Sequence, residues 1–257
     1  MENTAKKLTV KELPDNFITA YFLAGYPDRE KSIGIMERAV KNGVNAIEVG
    51  FPSNNPYLDG EIIQHAHQSV QNTFSNLTDF IGYLQILRSK IDVPIWIMGY
   101  KADLLEENAY IEIAKSSYID GFIIPDLTIS ELLNVQSEPM LKSVEFIPVI
   151  NHQMSDDDLR TVCDGKNIIY CQLQVGKTGN IFTDLEDLPH FYHKIRNLTD
   201  AKLMAGFGIK NGQIAKRIFE VGYDGIVVGS EMVRLVSLEE YEALDDLISE
   251  LVKSKVK

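Results

Sequence analysis

A short apolar run followed by a helical pattern, repeated eight times, leaves this 257-residue chain few folds to choose from. The runs are Phe17 to Ala24, 44–49, Val93 to Met98, Asp120 to Ile124, Val144 to Ile150, Asn167 to Leu173, Lys202 to Ala205 and Gly225 to Val228. Helical spacing fills 29–42, about 60–89, about 103–115, 128–135, a stretch capped by Ser155 and its three aspartates, roughly 184–197, 210–221, a short piece from Ser230 to Val236, and 238–253. A short amphipathic helix over 4–13, closed by Pro14, precedes the first run. Strands that are apolar on both faces and alternate with helices form parallel sheets. A doubly wound sheet is the rival, and eight strands favour a (β/α)₈ TIM barrel. No linker or change of composition interrupts the series, so residues 1–257 are expected to form one domain.

Charge narrows the partners. With a net charge of -12, a nucleic acid or an anionic membrane surface is a poor main partner. A small phosphate ester is not excluded, because helix N-termini hold phosphate with backbone amides. Cys163 and Cys171 do not make a disulfide scaffold. The first residues have no apolar signal core and no run reaches membrane length, so a cytoplasmic location is expected.

The stretch Asn45 to Gln64, NAIEVGFPSNNPYLDGEIIQ, carries the chemistry. Glu48 stands alone among Ala46, Ile47 and Val49 in the second strand, and burying a lone carboxylate is costly. It is either half of a structural ion pair or an acid/base facing a cleft. Asp59 follows on the loop that leads into the next helix. Barrel enzymes place their sites at the C-terminal strand ends, where both carboxylates fall. Two such groups can divide labour, one moving a proton and the other holding the substrate.

Three glycine turns follow strands six, seven and eight: Gly176-Lys177-Thr178-Gly179, Gly206-Phe207-Gly208, and Gly229 before Ser230. Each alone is ordinary strand-to-helix punctuation. Together, in consecutive barrel loops, they predict phosphate binding, with the helix start at Ser230 pointing free amides toward it.

The segment IEVGFPSNNPYLDGEIIQ resembles the most specific motif of the tryptophan synthase α subunit family, E-[LI]-G-[IV]-P-F-S-D-P-L-A-D-G-P-x-I-Q. Further matches in order are AGYPD, MGY, IIPDL, GKTG, GFGI and the GS before the last short helices. The resemblance implies cleavage of indole-3-glycerol phosphate into indole and glyceraldehyde 3-phosphate, a retro-aldol reaction with no metal and no cofactor. Pyridoxal phosphate is expected only in a β-chain partner. It casts Glu48 as the acid/base and Asp59 as partner of the indole N–H, with Tyr21, Tyr100, Tyr170, Thr178 and Phe207 around the substrate and Gly179, Gly208, Gly229 and Ser230 as the phosphate ligands. Departures from the motif include Ser53-Asn54-Asn55 for Phe-Ser-Asp, Leu173-Gln174 for Ser-Arg, Thr128 for a proline, and Ala102 for an asparagine. The neutral Asn55 and the added charge of Lys177 predict a co-adapted β-chain surface, or a stand-alone aldolase-type lyase acting on indole-3-glycerol phosphate or a related phosphate ester without a standard β partner. A non-enzymatic role, binding a β chain or sensing a phosphate metabolite, is a third reading that the retained Glu48 and Asp59 oppose.

Overall fold

The computed structural model describes residues 9–106, 108–173, 188–206 and 208–256. Its strands are β1 (Phe17–Leu23), β2 (Ala46–Gly50), β3 (Ile95–Met98), β4 (Gly121–Ile123), β5 (Glu145–Phe146), β6 (Val149–Asn151), β7 (Ile168–Gln172), β8 (Lys202–Gly206) and β9 (Gly225–Val228). All pairings are parallel, in the order β5-β4-β3-β2-β1-β9-β8-β7-β6.

The two ends of that order, β5 and β6, are one run interrupted by Ile147 and Pro148. Ile147 N–H donates to Phe122 O on the β4 side, and Pro148 O accepts from Tyr170 N–H on the β7 side, both at 2.9 Å. Pro148 has no N–H of its own, so the run changes partners there. This closes the sheet: the fifth strand expected from the sequence is two short pieces, and the whole is an eight-fold barrel.

Ten helices connect the described strands: α1 (Arg29–Lys41), α2 (Glu61–Val70), α3 (Leu77–Lys90), α4 (Ala109–Lys115), α5 (Ile129–Ser137), α6 (Asp156–Cys163), α7 (Leu188–Arg196), α8 (Gly212–Val221), α9 (Ser230–Ser237) and α10 (Tyr241–Lys253). The helical pattern over 60–89 divides into α2 and α3 because Asn76 caps α3, its side chain accepting from Asp79 N–H. A π-helical turn over Ala102–Glu106 precedes α4 in place of one continuous helix. Of the helix expected over 4–13, the described part is a 3₁₀ turn, Val10–Glu12. Val10 and Leu13 pack with Phe17, Trp96 and Met204 inside the barrel. The turn therefore stoppers the N-terminal end of the barrel with apolar side chains, while the larger core lies between strands and helices.

Three clasps of the same design fasten that end. Arg88 on α3 donates to Asp120 Oδ2 (2.6 Å), which also accepts Ile95 N–H (2.9 Å). Arg196 on α7 donates to Asp224 Oδ2 (2.6 Å), which also accepts Leu203 N–H (2.8 Å). Lys255 donates to Asn45 Oδ1 (2.9 Å), which also accepts Ile18 N–H (3.0 Å). In each, a basic side chain following a helix or on it is tied to the first turn of one strand through the residue just before the next. The opposite end is left to the loops.

Candidate active site

Glu48 stands in mid-β2, in register with Tyr21 of β1 and Trp96 of β3. It is 1% exposed, and its Oε1 has no hydrogen-bond partner among the described residues. Nor does it have an ion-pair partner there, so the acid/base reading is favoured over the structural pair. Burial, reinforced by the nearby charge of Asp59, pushes its carboxyl up to about 8. At neutral pH Glu48 is mainly the carboxylic acid, ready to give a proton.

Glu48, Asp59, Tyr21, Tyr100 and Tyr170 share one cavity of about 630 Å³, which also reaches Gly208, Gly229 and Ser230. That volume suits a small aromatic phosphate ester. Thr178, Gly179, Phe207 and Lys177 lie outside the described residues. Tyr21 and Tyr170 enter the cavity in the same way. A Cβ on Gly50 would lie 2.4 Å from the Tyr21 hydroxyl, and one on Gly206 would lie 2.1 Å from that of Tyr170. Only glycine on the neighbouring strand leaves room for these phenols. Burial first, then the carboxylate charges, hold both phenols well above their ordinary range. They are neutral hydrogen-bonding walls.

The loop between β2 and α2 is tied down at several points. Tyr100 donates its hydroxyl to Asp59 Oδ2 (2.7 Å) and accepts Leu58 N–H (3.2 Å). It therefore orients Asp59 as well as lining the cavity. Tyr57 donates to Asp126 Oδ2 (3.1 Å), while Asp126 Oδ1 accepts Lys101 N–H (2.9 Å). Exposed Asn55 donates its N–H to Ser53 Oγ (3.1 Å).

The sequence reading missed His67, which lines the cavity from α2. Its signal was available: Ile63, Ala66, His67 and Val70 follow the spacing of a buried helical face. Its Nδ1 accepts Ser53 N–H at 3.0 Å, and its Nε2 lies 3.7 Å from Asp59 Oδ2. Burial lowers its pKa to about 4, so the ring is neutral. Glu231 and Arg234, beside the glycine turns, were missed too. Arg234 donates from Nε (3.0 Å) and Nη2 (2.8 Å) to the two Glu231 oxygens. This matches the carboxylate at the glycine-turn end of the cavity with a cation. There α9 begins after Gly229 without a side-chain cap, and Gly208 adopts φ +76°.

Among the described residues, no helix is long and apolar enough to cross a membrane, and no group of His, Cys, Asp or Glu is placed to hold a metal ion. The model of the tryptophan synthase alpha chain family matches residues 7–256. The tryptophan synthase alpha chain of Aquifex aeolicus is 28% identical over 253 residues, covering 94% of each chain. That of Petrotoga mobilis is 30% identical over 224 residues, covering 85% of this chain and 86% of the relative. A solved structure from Aquifex aeolicus superimposes with a TM-score of 0.84 at 26% identity, over 96% of both chains. A chain of the tryptophan synthase α2β2 complex of Pyrococcus furiosus gives 0.79 at 20% identity over 94% of this chain and 99% of the other, a likeness of fold. With a buried acid on β2, a tethered aspartate after it and a family match running from end to end, this chain belongs to the tryptophan synthase alpha chain family.

Proposed function

We propose that this chain cleaves indole-3-glycerol phosphate at Glu48 and Asp59. The observation that carries this reading is Glu48: a buried carboxyl without an ion-pair partner among the described residues, held protonated and in one cavity with a second carboxylate. The cleavage begins with a proton delivered to indole C3, and a protonated Glu48 can supply it. Asp59 accepts the indole N–H and stabilises the positive charge that develops on the ring. The newly formed Glu48 carboxylate then takes the proton of the glycerol hydroxyl next to the ring. The carbon–carbon bond breaks, its electron pair returns to the ring, and indole and glyceraldehyde 3-phosphate are released. The single proton lent is recovered, so Glu48 ends as it began.

The neutral phenols of Tyr21 and Tyr170 suit an aromatic substrate. Gly208, Gly229 and Ser230 hold the phosphate on backbone amides, and by motif Gly179 joins that set while Thr178 and Phe207 belong to the substrate pocket. The charges are met by protein carboxyls and amides, so this scheme uses no cofactor. The reaction takes place in the cytoplasm, beside a β chain that consumes the indole and carries the pyridoxal phosphate. The α2β2 complex in which the Pyrococcus relative was solved supports that assembly. Asn55 and Lys177, where the family motif differs, adapt this chain to its own partner.

The test is release of indole from indole-3-glycerol phosphate by the purified chain, alone and with an added β subunit. Release that rises with the β subunit is expected. Release that is the same with and without it would favour the stand-alone lyase, and no release under either condition would overturn the proposal.

A further inference from the structure

We propose that His67 is a positioning residue, which holds the Asp59 carboxylate with its Nε2–H while its Nδ1 is pinned by the loop that carries Asp59. The inference rests on Asp59 acting on the substrate ring. The bond from Ser53 N–H to Nδ1 (3.0 Å) requires that nitrogen to be unprotonated, so the ring's only proton is on Nε2. That nitrogen faces Asp59 Oδ2 at 3.7 Å, the same oxygen that Tyr100 holds at 2.7 Å from the segment after β3. The imidazole is thus a rigid plate with an acceptor for one end of the loop and a donor for the other.

Its setting removes other uses. The side chain is 3% exposed. It shares the buried inner face of α2 with Ile63, Ala66 and Val70. A separation of 3.7 Å is longer than a hydrogen bond. Catalytic contacts often tighten only when substrate is bound, and a movement of about 0.8 Å by the loop would close this one. His67 and Tyr100 then hold Asp59 from two sides as it meets the indole N–H. Neither touches the reacting atoms; both set where the carboxylate stands.

Two substitutions separate the halves of this role. In His67→Asn the amide oxygen can take the place of Nδ1 toward Ser53, but the side chain is too short to reach Asp59. In His67→Gln the amide nitrogen can reach Asp59. The Asn variant is expected to keep its melting temperature and its affinity for glycerol 3-phosphate. Its kcat on indole-3-glycerol phosphate should fall about 10- to 100-fold with KM little changed, the value of one hydrogen bond to a charged group. Gln should restore most of the lost kcat. An Asn variant with full kcat, or a Gln variant no better than Asn, would overturn the proposal. Nitrogen-15 spectra of the histidine side chains decide the matter even if the variants do not fold or the wild type releases no indole. The His67 Nε2 resonance should move when Asp59 is changed to Asn, and an unmoved resonance would show that the two side chains do not interact.

Discussion

Glu48→Gln should cut turnover steeply and at the same time stabilise the protein. The carboxyl is pushed up from its ordinary 4.5 to about 8 by burial and then by the Asp59 charge. Between those two pH values the folded protein binds more protons than the unfolded chain, so each rise in pH favours unfolding. One unit of pKa corresponds to about 1.4 kcal/mol, and with the folded value near 8 the accumulated penalty at pH 7 is about 3 kcal/mol. Glutamine has nearly the same shape and never ionises, so it escapes the penalty. With the two proteins taken as level near pH 4.5, the variant should gain about 1.4 kcal/mol per pH unit, up to roughly pH 8. In a chain of this size 3 kcal/mol corresponds to about 6–12 °C in melting temperature. Paired thermal and urea melts at half-unit pH steps from 5 to 8 measure the difference directly, because the other titrating groups cancel. Indole release from the same preparations should be down by about 10²-fold or more. Parallel melting curves across that range would show that Glu48 ionises normally and would refute the reasoning.

Asp59→Asn keeps an acceptor but loses the charge, so indole release should fall severely while glycerol 3-phosphate binding, measured by calorimetry, is kept; an unchanged rate would reduce Asp59 to a loop tie. Tyr100→Phe removes the 2.7 Å bond to Asp59 and the acceptor for Leu58 N–H, and kcat should drop about 10-fold or more, as read by steady-state kinetics. Arg88→Ala leaves Asp120 buried without its guanidinium, and urea denaturation should show a loss of about 3–5 kcal/mol with kcat preserved at low temperature. Gly206→Ala drives a methyl into the Tyr170 hydroxyl, and KM for the substrate should rise even where the melting temperature changes little.

The barrel was legible in the sequence because eight apolar runs at strand length admit few arrangements. Pro148 was visible in the fifth run, and its missing N–H was enough to predict the change of partner that closes the ring, yet periodicity passes over a single proline. Asn76 likewise carried a cap signal inside what read as one helical region. Glu48 was found because charge in an apolar strand is anomalous. His67 was not, because a histidine on an amphipathic helix looks ordinary until its spacing with Ile63 and Val70 is noticed. Tyr100 was placed in the cavity, but no sequence rule reveals that its hydroxyl would settle on Asp59, since that contact joins residues 41 positions apart. Glu231 and Arg234 follow the ordinary spacing of a surface helical pair. Only the fold places them beside the glycine turns that line the cavity.

The clasp at Asn45 reaches further than its position suggests. Its side chain takes the Ile18 amide and its own N–H goes to Ile18 O at 2.8 Å, so the alignment of β2 against β1 is decided before either strand has properly begun. In a strand, a slip by a single residue exchanges inward and outward faces. Were β2 to move by one position, Ile47 or Val49 would point into the barrel and Glu48 would be buried among the helices. The direction in which the acid points is thus written at the far end of its strand, by an amide that never meets substrate. An enzymologist who wished to turn this buried carboxyl away without touching it would begin at Asn45.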